Sequence, residues 1–178
     1  MVESSQTFSK PKILFLGENS VGKTSLIYKY VYDIFNLSLK PTQHIDNLNK
    51  TVSINNKALS LNLISLNGHD RFKSISLDYI KICSVAVVVF EITNKQSFEC
   101  AKNWGEVVKS EKPGCKLVLV GNKIDKAFLR VVSIQEALDF SENIGAGYVE
   151  TSAYTGENVK EMFRMIFKVL SIERKQFS

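Results

Sequence analysis

The segment GENSVGKT (Gly17–Thr24) combines residue types and a spacing that suit the binding of phosphate groups. Its glycines allow the loop to curl, so that backbone N–H groups point inward onto phosphate oxygens. Lys23 can reach the β- and γ-phosphates of a nucleotide, and the Thr24 hydroxyl can occupy a position on Mg²⁺. A strand pattern before the segment and a helical pattern after it favour this interpretation over an accidental glycine-rich turn. The predicted contact residues are Asn19, Ser20, Val21, Gly22, Lys23, Thr24 and Ser25.

Two later segments predict that the base is guanine. NKID (Asn122–Asp125) follows an apolar strand pattern, at the end of a strand where ligands bind in open α/β sheets. The Asp125 carboxylate can accept hydrogen bonds from the N1–H and N2–H₂ groups of guanine, a donor pair that adenine lacks. ETSA (Glu150–Ala153) ends another strand pattern and offers a backbone N–H to the guanine carbonyl. Each segment alone is a weak signal, and their order along the chain makes the pair a strong one. The predicted base contacts are Asn122, Lys123, Asp125, Ser152 and Ala153.

Length and composition are those of one ordinary globular domain. The chain has 178 residues, of which 44% are hydrophobic and 23% are charged. Its net charge is +5, but the basic residues are spread along the chain, so we expect a solvated surface and no nucleic-acid partner. No apolar run approaches the length of a transmembrane helix. The three cysteines lack metal-binding spacing and are interpreted as reduced thiols.

Strand patterns alternate with helical ones along most of the chain. SVAVVVFEIT and CKLVLVGNK are nearly continuous apolar runs, typical of central parallel strands buried on both faces. Two alternating segments, Leu48–Ile54 and Ala58–Leu66, predict an antiparallel hairpin. The preceding segment, FNLSLKPTQHID, has no clear periodicity and predicts a long loop. The whole pattern predicts an α/β domain with a mostly parallel six-stranded sheet.

Helical spacing follows the phosphate loop and recurs in three later segments. SFECAKNWGEVVKS and SIQEALDFSENI begin with serines, Ser97 and Ser133, that are predicted to be N-caps. NVKEMFRMIFKVLSIERK places its apolar residues on one stripe of a final helix, so these residues are predicted to be core. The stripe consists of Val159, Met162, Phe163, Ile166, Phe167 and Leu170.

These motifs together resemble the Ras-like small GTPases and, within them, the Rab branch. The similarity extends from Lys12 to Lys175 and includes KTVSINNKALSLNLI, DRF, VVVFEITNKQSFE, LVLVGNKID and ETSAYTGENV. It implies a three-layer P-loop NTPase fold, with helices on both faces of the six-stranded sheet and one antiparallel hairpin strand. It also implies a G domain over residues 11–175, with short tails at residues 1–10 and 176–178. GTP or GDP, together with Mg²⁺, would be the bound ligands.

The resemblance implies roles for three further residues. Phe35 would pack edge-on against the guanine; a core aromatic is the alternative. Thr42 would close the first switch loop over Mg²⁺ and the γ-phosphate; an ordinary loop hydroxyl is the alternative. Gly68 would donate a backbone N–H to the γ-phosphate from the second switch. The register of PTQHID favours the functional assignment of Phe35 and Thr42.

The second switch departs from the family pattern Asp-Thr-Ala-Gly-Gln. The same register here reads SLNGH, in which Gly68 alone keeps the family residue. Ser65 is neutral and cannot supply the charge of the acid that normally holds a water on Mg²⁺, so we expect Mg²⁺ to be held weakly. Asp70 could compensate, although it aligns with an ordinary surface acid of the family. His69 replaces the glutamine that orients the attacking water, and a loop histidine without a role is its alternative.

Other departures concern the base and the partners. Tyr154 stands where a lysine usually lies along the guanine face, and its ring could stack there instead. Asn47 and Ile64 replace two of the three aromatic residues that Rab proteins present to effectors, while Tyr79 keeps the third. Effectors and regulators would bind through the switch loops of a monomer. The sequence ends in IERKQFS, without a cysteine to prenylate. We therefore expect a cytoplasmic protein that reaches endomembranes through a partner or a missing C-terminal tail.

Three functional hypotheses follow. The first is an atypical Rab-like GTPase of vesicle trafficking with slow hydrolysis, in which His69 is a doubtful catalytic residue. The second is a pseudo-GTPase that binds nucleotide and presents one fixed surface to a partner. The third is a nucleotide kinase or ATPase, which NKID and the lack of a basic lid-like segment disfavour.

Overall fold

The strands and helices alternate along the chain as the sequence predicts. The computed structural model describes residues 10–36, 45–54, 57–66 and 73–175, and the side chains as far as residue 170. The strands are β1 (Lys12–Leu16), β2 (Ile45–Ile54), β3 (Lys57–Leu66), β4 (Val85–Glu91), β5 (Lys116–Asn122) and β6 (Gly147–Thr151). The helices are α1 (Lys23–Tyr32), α2 (Lys73–Ile82), α3 (Lys95–Glu111), α4 (Ile134–Asn143) and α5 (Val159–Lys175), with a 3-10 helix at Ile124–Leu129.

The six strands form one sheet in the order β2-β3-β1-β4-β5-β6. Neighbouring strands are parallel except β2 and β3, which are antiparallel. Helices α1 and α5 contact each other on one face of the sheet. Helices α2 and α3 contact each other on the opposite face, where a second hydrophobic core lies. The predicted α/β fold, with a mostly parallel sheet and one antiparallel hairpin strand, is confirmed.

Strand β4 shows why the core divides into two halves. Its first six residues are all completely buried, and alternate side chains enter opposite faces of the sheet. A parallel strand covered by helices on both sides needs apolar residues at every position, which SVAVVVFEIT supplies. One set, Ala86, Val88 and Phe90, faces the core with α3, and the other set, Val85, Val87 and Val89, faces the core with α1 and α5.

The hairpin is longer at its first strand than the sequence predicts. Strand β2 begins at Ile45, whereas Leu48 was the predicted start and residues 45–46 were assigned to a loop. The reason is that β3 pairs with β1 on its other edge and stays extended to Leu66, so β2 can pair along its full length. This correction places Asp46 in the sheet, directly opposite Ser65.

The predicted helix caps have different outcomes. Ser133 caps α4 by accepting a hydrogen bond from the backbone N–H of Glu136 at 3.1 Å, as predicted. The N-cap assignment of Ser97 is wrong, because Asn94 caps α3 and its side chain accepts from the Ser97 N–H at 3.0 Å. The Ser97 hydroxyl instead accepts from the backbone N–H of Glu91, which ties the start of α3 to the end of β4.

The final helix matches its predicted apolar stripe. Five of the six stripe residues are buried and the sixth, Phe167, is packed against the same core. Within the described residues, no helix combines the length and the apolar character that crossing a membrane requires.

Candidate nucleotide-binding site

The loop between β1 and α1 has two glycines that no other residue could replace without strain. Gly17 has φ +135°, and an added Cβ would lie 2.2 Å from the carbonyl oxygen of Val89. Gly22 has φ +100°, and an added Cβ would lie 2.3 Å from Nδ2 of Asn122. The loop therefore folds tightly against the ends of β4 and β5, which explains the spacing of its glycines.

Lys23 lies inside the curl of this loop. Its ammonium group donates to the carbonyl oxygens of Gly17 at 2.9 Å and Glu18 at 2.7 Å. Only 7% of the residue is exposed, and this burial lowers the pKa of the Lys23 ammonium group to about 8. An anion beside the loop would favour the charged form again, so the site is suited to phosphate.

Helix α1 presents its N-terminus to the same place. Gly22 occupies the N-cap in a left-handed conformation, and no described side chain caps it. The first turn contains no acidic residue that would repel an anion. Backbone N–H groups at a helix start lack partners within the helix and carry partial positive charge, so they suit phosphate oxygens.

Asn122 connects the phosphate loop to the predicted base site. Its Nδ2 donates to the carbonyl oxygen of Val21 at 2.8 Å. Its Oδ1 accepts from the Thr151 hydroxyl and from the backbone N–H of Ala153, each at 3.2 Å. Because Asn122 is only 1% exposed, these bonds are shielded from water and fix three segments of the chain against one another.

Asp125 and Ser152, which the sequence assigns to the base site, lie in direct contact. The Ser152 hydroxyl donates to Oδ1 of Asp125 at 2.5 Å and accepts from the backbone N–H of Thr155 at 3.1 Å. Ser152 is completely buried. The carboxylate is therefore held in position at the start of the 3-10 helix by a group that is itself fixed to the backbone.

Lys123 is fixed by an acid at the end of β4. It adopts a left-handed conformation with φ +68°, and its ammonium group forms an ion pair with Glu91. The Thr93 hydroxyl donates to the same carboxylate at 2.6 Å. Burial raises the pKa of Glu91, but the hydrogen bonds from Lys123 and Thr93 outweigh it and leave the pKa below its ordinary value. The carboxylate thus stays charged and holds Lys123 beside the base site.

The aromatic rings of Phe35 and Tyr154 contact each other. Their centroids are 5.2 Å apart and their planes meet at 79°, an edge-to-face arrangement. Tyr154 is 58% exposed, while Phe35 is half-buried. The structure therefore brings together the two rings that the sequence assigns to contacts with the base.

The sequence analysis does not predict a half-buried network of three side chains at β6. Arg130 binds Glu150 through two hydrogen bonds of 2.7 Å each, and the Tyr148 hydroxyl donates to Glu150 at 2.6 Å. Burial raises the pKa of Glu150, but these bonds lower it below its ordinary value overall. Nothing in the local sequence around Arg130 indicates this pairing, because its partner lies 20 residues away.

Three side chains with oxygen atoms meet at the predicted metal side of the site. Thr24 lies at the start of α1, Asp46 in β2 and Ser65 in β3. The Thr24 hydroxyl lies 3.0 Å from the Ser65 hydroxyl and 3.4 Å from Oδ2 of Asp46. Ser65 is completely buried and Asp46 half-buried. Hydroxyl and carboxylate oxygens are the donors that Mg²⁺ prefers, so these residues fit the ion. When bound there, Mg²⁺ would neutralise part of the charge on the β- and γ-phosphates.

Several predicted residues lie outside the described part of the chain or away from these contacts. Thr42, Gly68, His69 and Asp70 are outside the described residues. Asn19 is half-buried in the phosphate loop and Ser25 in the first turn of α1. Of the three positions compared with Rab effector residues, Asn47 is exposed, Tyr79 is half-buried and Ile64 is buried.

The fold and the phosphate loop together define a P-loop nucleotide-binding protein, in which hydrogen bonds fix Asn122 and Ser152 at the ends of β5 and β6. Comparison with known proteins gives the family. A model of the Ras family matches residues 12–172, which is most of the chain. The chain belongs to the Ras family and is a small GTP-binding protein. Members of this family bind GTP or GDP with Mg²⁺ and interact with regulators and effectors.

Proposed function

We propose that this protein is a Rab-like small GTPase that hydrolyses GTP slowly and acts as a switch or scaffold in vesicle trafficking. The observation that carries the slow rate is Ser65. It is a buried, neutral residue whose hydroxyl lies 3.0 Å from Thr24, at the position of the family's metal-side acid. Residues 11–175 form the G domain of a cytoplasmic monomer, which reaches endomembranes through a partner.

The reaction is the in-line attack of water on the γ-phosphate. Its catalysis is positioning and charge stabilisation, because the protein forms no covalent bond to the phosphoryl group. Lys23 and the N–H groups of the phosphate loop supply positive charge. His69 takes the register of the water-orienting glutamine, but its ring has a shorter reach and one acceptor when neutral. Each tenfold loss of rate needs only about 1.4 kcal/mol, so a displaced water is enough to slow turnover.

A pseudo-GTPase is the second candidate function. The hydrogen bond between the buried Ser65 and Thr24 favours it, because a side chain engages the hydroxyl that the phosphate-loop motif assigns to Mg²⁺. In that case, bound nucleotide would stabilise the fold and the protein would present a constant surface to its partner.

Single-turnover GTP hydrolysis separates these functions. We would compare the native protein, His69→Gln and the double variant Ser65→Asp with His69→Gln, using an ordinary Rab protein in parallel. A native rate below that of the Rab protein, with recovery in the double variant, supports the slow switch. A native rate equal to that of the Rab protein contradicts it. A double variant that still lacks turnover favours the pseudo-GTPase.

A further inference from the structure

We propose that Asp46 supplies the metal-side carboxylate that Ser65 lacks, so that Mg²⁺ is held from β2 instead of β3. This inference rests on the proposed binding of a guanine nucleotide with Mg²⁺. It concerns Mg²⁺ affinity and nucleotide release, and it is independent of how fast GTP is hydrolysed.

The register of the hairpin places the two residues together. Asp46 and Ser65 are direct partners across β2 and β3, and directly opposed residues of an antiparallel pair point to the same face of the sheet. That face is the one covered by α1, because Leu48 and Leu63, the next pair on the same side, pack in the core with α1. Both side chains therefore project toward the start of α1, where Thr24 lies.

Thr24 is the point on which the two side chains converge. Its hydroxyl is within 3.4 Å of Oδ2 of Asp46 and within 3.0 Å of the Ser65 hydroxyl. The Thr24 hydroxyl is also the group that the phosphate-loop motif assigns to Mg²⁺. A carboxylate beside this hydroxyl is thus already within the space of the metal site, without any change of the strand.

Charge decides which of the two residues can replace the missing acid. A serine hydroxyl is neutral at all relevant pH values, whereas an aspartate carries a full negative charge near neutral pH. Mg²⁺ in nucleotide sites is held by one or two carboxylates in addition to phosphate oxygens. Asp46 is a carboxylate in contact with the Thr24 hydroxyl, whereas Glu91 is bound to Lys123.

The sizes of the two side chains agree with this assignment. Ser65 is completely buried, and its short side chain lies opposite Asp46 on the same face of the hairpin. The exchange of Asp for Ser at position 65 is therefore compatible with an intact metal site.

The test is the release of fluorescent GDP as a function of free Mg²⁺ concentration. We would measure the native protein, Asp46→Asn, and Asp139→Asn, a control acid exposed on α4. Loss of a metal-positioning group typically costs 10–100-fold in metal affinity. In Asp46→Asn, we expect the Mg²⁺ concentration that half-maximally slows release to rise by about 10–100-fold. Asp139→Asn should keep the native value.

Release in excess chelator shows whether Asp46→Asn still folds around the nucleotide. With Mg²⁺ removed, its release rate should equal the native rate, because Lys23 and Asp125 are unchanged. A native half-maximal Mg²⁺ concentration in Asp46→Asn would overturn the inference. So would an equal acceleration of release with and without Mg²⁺, which would assign Asp46 to the fold instead of the metal.

A second test transfers the carboxylate from position 46 on β2 to position 65 on β3. In the swap variant, Asp46→Asn with Ser65→Asp, the half-maximal Mg²⁺ concentration should return toward the native value. A swap variant that binds GDP in chelator but recovers none of the Mg²⁺ response would count against the inference. If the native protein binds no guanine nucleotide under either condition, the proposed function fails. If it binds GDP and Asp46→Asn behaves as native, only this inference fails.

Discussion

The base end and the metal end of the predicted nucleotide site are built in different ways. At the base end, Asn122 and Ser152 are almost fully buried and each is hydrogen-bonded to backbone groups. At the metal end, Thr24, Asp46 and Ser65 interact through their side chains across a hairpin. The base end thus depends on particular residues, whereas the metal end depends on which residues the strand register places opposite each other.

This difference has a consequence for how the site can vary. Replacing Asn122 would leave the carbonyl of Val21 and the N–H of Ala153 without their buried partner, which costs about 1–3 kcal/mol for each unsatisfied group. At the metal end, positions 46 and 65 both face the Thr24 hydroxyl, so we propose that an acid at either position can serve the metal. The first kind of site is constrained by its hydrogen bonds and the second by its geometry and charge.

The largest effect is expected at the base end, from Asp125→Asn. An amide cannot accept both hydrogen bonds from guanine, so GTP binding should weaken by ~2–4 kcal/mol, the scale of a mismatched charged hydrogen-bond pair. Xanthosine triphosphate should gain affinity in return. Calorimetric titration with both nucleotides and with ATP measures this, and Asp139→Asn on α4 is the matched control. Equal affinity of the native protein for ATP and GTP would contradict guanine selectivity.

The second prediction tests the connection between the phosphate loop and the base end. Gly22→Ala should destabilise the protein by ~2–3 kcal/mol, because an alanine at φ +100° is strained and its Cβ would displace the Asn122 amide. Gly114→Ala is the control, since its φ is +81° but an added Cβ would meet nothing within 4 Å. It should cost ~1 kcal/mol, the backbone strain alone. Equal losses on chemical denaturation would show that the contact with Asn122 is unimportant.

The third prediction concerns the network under β6. Glu150→Gln should lower the free energy of unfolding by ~1–2 kcal/mol at pH 7, because a carboxylate bound by Arg130 and Tyr148 is replaced by an amide. The control is Glu161→Gln, which breaks an exposed ion pair with Arg164 and should change stability by less than ~0.5 kcal/mol.

The same network predicts a pH dependence. The pKa of Glu150 is lowered on folding from its ordinary value of 4.5, so its stabilisation is present above pH 4.5. It is lost as the pH falls through the lowered folded-state pKa. The difference in stability between the native protein and Glu150→Gln should therefore shrink in acid below pH 4.5. A difference that stays constant through this range would mean that packing, and not charge, carries the effect.

The contacts at the predicted base end are easier to infer from the sequence than those at the predicted metal end, for a physical reason. Asn122 and Asp125 are close in the chain and follow a strand pattern, so a local motif is enough to place them. The sequence places Asp46 in a loop, because its contact with Thr24 depends on strand pairing with Ser65, 19 positions away along the chain. Extending the predicted hairpin register by two residues would have found it. The network of Arg130 and Glu150 has no comparable signal in the sequence.

Of the other sequence predictions, some are confirmed, one is wrong and several stay predictions. The sheet and its antiparallel pair followed from hydrophobic patterns and are confirmed, whereas the Ser97 cap failed because Asn94 lies three residues earlier and caps equally well. The roles of Thr42, Gly68 and His69 stay predictions, as does the assignment to the Rab branch. Tyr154 stands between these cases, because its place beside Phe35 is established while its contact with the base is predicted.

Tyr154 gives the smallest of the expected effects and separates two accounts of the base end. If its exposed ring lies along the guanine, Tyr154→Ala should weaken GDP binding by ~0.5–1.5 kcal/mol, the scale of one aromatic contact. Tyr154→Phe should keep the affinity, because the edge-to-face contact with Phe35 and the stacking surface do not need the hydroxyl. GDP release rates in excess chelator measure the effect without any contribution from Mg²⁺. An equal loss in both variants would assign the effect to the hydroxyl. Native behaviour of Tyr154→Ala would leave the base held by Asp125 and its buried hydrogen bonds, with the aromatic pair serving only to pack residues 35 and 154 together.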